Sequence, residues 1–164
     1  MMEKNDRIRE ELLGSIDGLT DERLNQQVEE GAWSIMQILE HLYLIEQFVA
    51  KTIEDEVENG QPKPARDKPI HLTPNRKTKV DAPKFLTPSS EFHTTVDIKQ
   101  KLANSRQKLK DVVSGVDVNV LKGKATKHPA FGTLRLDQWV QFVGYHEKRH
   151  LEQIEEVKEQ LTES

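Results

Sequence analysis

The sequence contains no cysteine, only 5% aromatic residues and no long apolar run. Without cysteine there is no disulfide, no thiolate metal ligand and no cysteine nucleophile, and this composition fits a reducing compartment. No apolar run approaches the ~20 residues that a membrane-spanning helix needs. Residues 1–11 are charged and lack an apolar core, so we expect no secretory signal and a cytoplasmic protein that does not bind membranes.

Positive charge is also in slight deficit. The 164 residues include 24 lysines and arginines against 28 aspartates and glutamates, which gives a formal net charge of −4. Nucleic-acid-binding proteins usually carry a basic surface, so we expect no nucleic-acid partner. A chain of this length can bury a core of its own, and we predict a single domain over residues 1–164.

Apolar residues recur every three or four positions in four segments, which predicts four helices. The segments span about residues 5–18, 34–60, 94–115 and 133–161. Ser34 and Gln37 predict a capping box at the start of the second helix. No segment alternates with a period of two, so we predict an all-α protein without a β-sheet. Residues 117–121 are expected to form a short helical turn, and residues 127–132 a turn.

Residues 59–93 form a long connection between the second and third helices. They hold six of the seven prolines, which disfavours helix, and their basic side chains outnumber the acidic ones. A bundle with a crossover needs such a connection, because the chain must return along the length of the bundle. An alternative interpretation is a partial lid over an active site.

Three histidines lie in or beside the apolar stripes. His146 and His150 are four residues apart, so both imidazoles lie on one helix face with the apolar residues of the fourth helix. Two buried imidazoles repel when charged and leave polar atoms unpaired when neutral, and a shared metal ion removes both problems. His41 lies in the stripe of the second helix, where a lone histidine is more often a core residue than a ligand.

The residues from His146 to His150 match the H-E-x-x-H pattern of zinc proteases, in which the glutamate is the general base. We discount that function, because Gln153 and Glu156 stand where the extended motif needs glycine and a third histidine. A di-iron site is also discounted, because it needs a second Glu-x-x-His unit. Glu147 lies about 100° around the helix from His146, so we interpret it as a solvated surface carboxylate rather than a base. The remaining histidines lie off the stripes and are interpreted as surface or turn residues: His71, His93 and His128.

Two segments of the chain resemble the DinB/YfiT-like proteins. The first is Ala32-Trp33-Ser34, followed by Gln37, Ile38, Glu40, His41 and Leu42. The second is His128-Pro129-Ala130-Phe131-Gly132-Thr133-Leu134, followed by Gln138, Trp139 and the run from His146 to Ile154. They are similar to the second-helix motif and to the last loop and helix of that family, in the same order and spacing.

The resemblance implies an up-down-down-up four-helix bundle with a long crossover between helices 2 and 3, often as a homodimer. It implies one divalent metal ion, zinc or nickel, held by His41, His146 and His150. Members of the family include S-transferases that use bacillithiol and enzymes that use mycothiol. The resemblance therefore implies a metal-dependent transferase that acts on a small molecule, with bacillithiol as a possible co-substrate.

Three imidazole ligands leave a coordination position open, as in catalytic sites. That position accepts water or a thiol, and a thiol must come from outside because the chain has no cysteine. Gln153 lies one turn after His150, where it can orient that ligand. Basic residues of the crossover such as Lys77 and Lys79 are expected to attract an anionic thiol. A metal-dependent hydrolase and a non-catalytic, stress-linked metal-binding bundle stay open as alternatives.

Overall fold

A computed structural model describes residues 1–77 and 82–163. The long helices are α1 (Glu3–Ser15), α3 (Ile35–Asn59), α4 (Thr95–Ser114) and α6 (Leu136–Glu163). The shorter elements are α2 (Asp21–Asn25), 3-10 turns at Ile70–Leu72 and Lys84–Leu86, α5 (Val118–Gly123), β1 (Ala125–His128) and β2 (Gly132–Arg135). Within this part of the chain, no helix has the length and apolarity of a membrane span.

Side-chain contacts show that α1 and α6 run parallel. Asn5, near the start of α1, donates a hydrogen bond to the Val140 carbonyl near the start of α6 (2.9 Å). Ser15, at the end of α1, donates to the Glu155 carboxylate much further along α6. Both helices therefore advance in the same direction, side by side.

Helices α3 and α4 also run parallel to each other. Arg106 of α4 contacts Glu46 of α3 at 2.6 Å, and further along both helices Lys108 contacts Glu54 at 2.7 Å. Two parallel helices that follow one another need a connection as long as the bundle, and residues 60–94 provide it.

Helix α3 runs antiparallel to α6. Phe48, in the middle of α3, packs against Trp139 near the start of α6 (ring centroids 5.9 Å apart), whereas His41 packs against His150 further along (4.8 Å). With α1 parallel to α6 and α3 parallel to α4, the order is up-down-down-up. The predicted fold class and crossover are confirmed.

The predicted capping box is present at the start of α3. The Ser34 hydroxyl accepts from the Gln37 backbone N–H (3.1 Å), and the Gln37 side chain accepts from the Ser34 N–H (2.9 Å). Helix α1 ends at Ser15, before its predicted end, because Gly18 lies in the following turn with a φ of 83°. The short helix predicted for residues 117–121 is confirmed as α5.

The prediction that the chain has no β-structure was wrong for residues 125–135. Strands β1 and β2 pair antiparallel, from Ala125 with Arg135 to His128 with Gly132, and the predicted turn is the tip of this hairpin. Four residues a strand are too few for alternation to be detected in the sequence. The hairpin is anchored to α6, because the Trp139 indole N–H donates to the Leu134 carbonyl at 3.1 Å. Helix α2 was not predicted either, because its five residues are too few to show helical periodicity.

The crossover is fixed to the bundle at several points. The Gln138 side chain accepts from the Lys68 N–H (2.9 Å) and donates to the Lys68 carbonyl (3.0 Å). Arg149 donates to the carbonyls of Thr73 (3.1 Å) and Asn75 (2.8 Å). Further along, Leu86 is 2% exposed and belongs to the core. The described part of the crossover is therefore held in place, first over α6 and then, around Leu86, over α3.

The apolar core consists of two clusters stacked along the bundle. On α3 the core passes from one cluster to the other between Leu42 and Ile45, and on α6 between Val143 and Ile154. The level between the clusters holds the polar side chains described below, so the predicted site residues lie near the middle of the bundle.

Candidate metal centre

The structure brings the three predicted histidines together. The Nε2 atom of His146 lies 3.3 Å from Nε2 of His41 and 3.2 Å from Nε2 of His150. All three residues offer a ligand atom within 4.8 Å of the others, and they form the only such cluster in the described part of the chain. Nitrogen ligands about 2.0–2.1 Å from a tetrahedral metal ion lie about 3.3–3.4 Å apart, so the two short distances match adjacent corners of such a site.

Hydrogen bonds to the outer ring nitrogens fix two of the three tautomers. His41 Nδ1 lies 2.8 Å from the Leu86 carbonyl oxygen, and His150 Nδ1 lies 2.8 Å from Oε1 of Gln153. Both oxygens only accept, so each Nδ1 carries the proton and each Nε2 presents a lone pair to the cluster. Gln153 therefore holds His150 as expected, and the crossover holds His41 through Leu86.

His146 occupies the centre of the cluster and has an unusual set of contacts. Its Nδ1 is buried without a hydrogen-bond partner among the described residues, and its Nε2 faces the lone pairs of His41 and His150. A proton on His146 Nε2 can form only one hydrogen bond that is shared between the Nε2 atoms of His41 and His150. A divalent cation would satisfy all three nitrogens at once. This donor set has the chemistry that a divalent metal requires.

The electrostatics keep the cluster uncharged near neutral pH. Burial lowers the pKa of His146 well below its usual value, and His150 and His41 lower it further. Burial also lowers the pKa of His41, against the hydrogen bond to Leu86, and lowers that of His150 to about 3 with the help of His41. Neutral imidazole is the form that binds metal, so no proton has to be released to solvent before an ion enters.

A cavity of about 920 Å³ adjoins the three histidines. Ligand sites of proteins commonly have volumes of about 300–1,000 Å³, so this cavity has the size of a small-molecule site. Aromatic side chains line much of it: Trp33, Phe48, Phe131, Trp139 and Phe142. The crossover contributes Leu72, Pro83 and Leu86 to the wall, which supports the interpretation of this segment as a cover of the site.

Two arginines add positive charge to the cavity wall. Arg149 holds the crossover carbonyls, and Arg76 of the crossover forms an ion pair with Glu156. Lys77 is exposed and does not line the cavity, and Lys79 lies outside the described residues. Glu29 and Glu156 also line the wall, so the formal charges of its two arginines and two glutamates cancel.

The interpretation of His128 as a surface or turn residue was wrong. This side chain is 4% exposed, and its ring packs on Trp139 and Phe142 with centroids 4.6 and 4.4 Å away. It lines the same cavity as the three clustered histidines. The residue lies on no helical stripe, and the hairpin that folds it back onto α6 was not predicted. His71 is exposed as expected, whereas His93 is partly buried with Nε2 3.6 Å from Glu40.

The interpretation of Glu147 as a solvated carboxylate was also wrong. It points away from the clustered histidines as expected, but it is 1% exposed. Arg9 contacts it at 2.7 Å and Arg106 at 2.5 Å. Burial raises the pKa of Glu147, and the two arginines act in the opposite direction. Its partners are 138 and 41 residues away along the chain, so no local pattern could have shown them.

Glu147 belongs to a buried ion network that joins the four long helices, and Asp6 of α1 extends this network through a contact with Arg106 at 3.0 Å. Arg9 of α1 and Arg106 of α4 each contact both Glu46 of α3 and Glu147 of α6, at 2.5–3.0 Å. The Ser105 hydroxyl also donates to Glu46 at 2.5 Å. The four charges cancel and are almost fully buried. The network fixes α3 against α6, the two helices that carry the histidine cluster.

Comparison with known proteins agrees with this architecture. The sequence model of the DinB superfamily matches residues 4–154. The protein called "Uncharacterized protein YuaE" of Bacillus subtilis (strain 168) is 33% identical over 153 residues, which are 93% of this chain and 94% of that protein. The crystal structure of TT2238, a four-helix bundle protein, superposes with a TM-score of 0.64 over 94% of both chains at 19% identity, a likeness that concerns the fold.

Proposed function

This chain belongs to the DinB superfamily, and from that premise we propose that it is a metal-dependent S-transferase that uses a low-molecular-weight thiol of the bacillithiol type. The observation that carries the proposal is the convergence of three neutral imidazoles beside a large cavity. His41, His146 and His150 would hold one divalent ion, zinc or nickel, and leave a coordination position open toward the cavity.

The reaction joins the sulfur of the small thiol to an electrophilic carbon. A divalent ion held by His41, His146 and His150 would act as a Lewis acid and lower the pKa of a thiol. The new S–C bond forms as the bond from that carbon to its leaving group breaks, the bonding pair departs with the leaving group, and the thiol proton passes to solvent. The chain has no cysteine, so the nucleophile has to be the external thiol.

The residues around the cluster would position the two reactants. Leu86 and Gln153 keep His41 and His150 oriented, so the ligand nitrogens need no rearrangement. Aromatic walls such as Phe142 favour an apolar electrophile and exclude water from it. Arg149 would attract an anionic thiol by its charge, whereas Arg76 beside it is already paired with Glu156.

The metal site is tested by metal analysis of the purified protein beside a His150→Ala variant. We expect about one divalent ion per chain in the wild type and a loss of most of it in the variant, because one of three ligands is removed. The matched control is His71→Ala, which removes an exposed histidine outside the cavity. Equal metal content in the wild type and His150→Ala would contradict the site.

The reaction is tested by incubation of the metal-loaded protein with an aromatic halide electrophile, with and without bacillithiol. The proposal predicts thiol-dependent release of halide and formation of the thioether, both lost in His150→Ala. Ester hydrolysis without any thiol would instead indicate a hydrolase. A metal-loaded protein that turns over neither substrate would refute the transferase and leave a non-catalytic metal-binding bundle.

A further inference from the structure

A fourth histidine lines the cavity without belonging to the cluster. His128 ends β1, next to the hairpin turn, and the metal-ligand cluster found in the described part of the chain does not include it. Its ring nevertheless forms part of the cavity wall, between Trp139 and Phe142. The transferase reaction as described above gives this residue no task.

The hairpin turn fixes the tautomer of His128. Its Nδ1 accepts the backbone N–H groups of Ala130 (3.0 Å) and Phe131 (3.3 Å). A nitrogen that accepts two N–H groups carries no proton of its own, so the proton of the neutral ring resides on Nε2. Burial lowers the pKa of His128 to about 4, which keeps the ring neutral at physiological pH.

The remaining nitrogen of this ring is available to a bound molecule. Nδ1 faces the turn, and Nε2 lies on the other side of the ring, away from it. Nε2 has no hydrogen-bond partner among residues 1–77 and 82–163. The side-chain nitrogens and oxygens there that are both buried from solvent and without a partner are His93 Nε2 and His146 Nδ1, so His128 Nε2 is not buried from solvent. Because His128 lines the cavity, we infer that this Nε2–H group is reached from it.

The chemistry of this N–H complements that of the cluster. His41 and His150 present lone pairs, which bind a cation, whereas His128 presents a hydrogen-bond donor, which binds an acceptor. Trp139 and Phe142 hold the ring by edge contacts, so the direction of the N–H is set before a ligand enters. An aromatic wall offers the donor few competing partners. A donor that is fixed there favours an acceptor atom such as an anionic oxygen or nitrogen, or a carbonyl oxygen.

We propose that His128 is a ligand-binding residue whose Nε2–H donates a hydrogen bond to an anionic acceptor atom of the molecule bound beside His41, His146 and His150. The inference deepens the proposed function and rests on it for the identity of the occupant. During transfer the same N–H would stabilise negative charge that develops on the electrophile or its leaving group.

The tautomer is tested first, by ¹⁵N NMR of the histidine rings in the metal-free protein at pH 7. We expect His128 to show a protonated Nε2 and an unprotonated Nδ1. The anion contact is then tested with azide, which is titrated into the Co²⁺-loaded protein and followed by visible absorption. The variant His128→Phe keeps an aromatic ring but loses the donor, and we expect its azide affinity to fall roughly tenfold at unchanged cobalt content.

Two further variants separate the donor from the packing. His128→Gln places an N–H donor at a similar reach, and we expect it to recover part of the azide affinity. His71→Phe changes an exposed histidine outside the cavity and should leave the affinity as in the wild type. Recovery by glutamine but not by phenylalanine supports the hydrogen bond over a role in packing alone.

Three results would overturn the inference: a protonated Nδ1, an unchanged azide affinity in His128→Phe, or a loss of cobalt in that variant, which would make His128 a ligand. If the wild type binds no cobalt, the proposed function fails separately. In that case, or if His128→Phe does not fold, azide is titrated into the wild type and the His128 Nε2 resonance is followed. A shift of that resonance supports the contact, and a constant resonance overturns it.

Discussion

Replacement of Arg106 by methionine removes one of the two cations that join all four long helices. In the wild type its guanidinium lies 2.6 Å from one carboxylate oxygen of Glu46 and 2.5 Å from one of Glu147. Methionine fills most of the apolar length of arginine but offers no donor. Glu46 and Glu147 would then share Arg9 alone, and the buried group would carry a net charge of −1.

The expected loss of stability follows from the burial of these charges. The side chains of Arg106, Glu46 and Glu147 are 7%, 1% and 2% exposed, so water cannot replace the missing cation. Removal of one partner from a buried ion pair costs about 3–5 kcal/mol. A domain of this size has a total stability of about 5–15 kcal/mol, and about 2–4 °C of Tm is lost per kcal/mol. Arg106→Met should therefore lower Tm by about 6–20 °C.

The assays are thermal unfolding, which gives Tm, and urea unfolding, which gives the free energy of unfolding, both on the metal-free protein at pH 7 and followed by circular dichroism. Lys108→Met is the matched control, because Lys108 also links α4 to α3 through an ion pair, with Glu54 at 2.7 Å, but is 52% exposed. Exposed pairs contribute about 1 kcal/mol or less. The double variant Arg106→Met/Glu147→Gln restores charge balance and should lose less stability than the sum of the two single variants.

The reasoning is refuted if Arg106→Met loses no more stability than Lys108→Met. It is refuted as well if the double variant loses the full sum, because the two residues would then act independently.

The remaining predictions concern acid, packing, capping and assembly. The pKa of His128 is about 4 when folded and about 6.5 when unfolded, so the unfolded chain takes up the proton first. Between pH 6.5 and 4 the wild type should lose about 3 kcal/mol at most through this residue, and urea midpoints should fall less steeply in His128→Phe. A Cβ on Gly144 would overlap Oδ1 of the buried Asn5, so Gly144→Ala should cost about 1–3 kcal/mol in urea unfolding. Gly14 has open space around it, and Gly14→Ala should stabilise α1 by about 0.5–1 kcal/mol in the same assay. Ser34→Ala should cost about 1 kcal/mol, because the capping box of α3 is lost. The homodimer implied by the family should appear in sedimentation equilibrium as twice the chain mass, and a single-chain mass at micromolar concentration would contradict it.

The parts of the fold that the sequence predicts are those set by short-range geometry. Helices α3 and α6 extend over many turns, so their apolar periodicity is unambiguous, and the pair His146 and His150 follows from one turn of helix. The hairpin was not predicted, because strands of four residues are too short to show an alternation of apolar and polar residues. Its stability depends instead on contacts such as the hydrogen bond from Trp139 to the Leu134 carbonyl.

The parts that the sequence does not predict depend on residues far apart in the chain. His41 is a core histidine by its local pattern, and only the family resemblance places it with the pair on α6. Glu147 has the helical position of a surface residue, but α1 and α4 cover that face and supply Arg9 and Arg106. His128 lies in a segment without helical periodicity, and the cavity wall exists only once the hairpin has folded onto α6.

The ion network and the histidine cluster constrain each other through the register of α6. Glu147 follows His146 directly, so a rotation of α6 by one residue, about 100°, would turn the glutamate toward His41. The same rotation would take Glu147 from Arg9 and Arg106 and leave buried charges unpaired, which is far more costly than a change of apolar contacts. Apolar side chains in these positions could give equal stability, but they would accept several registers of α6. We infer that the buried charges favour the one register in which His146 and His150 face His41, so that the network sets the geometry of the histidine cluster as well as adding to stability.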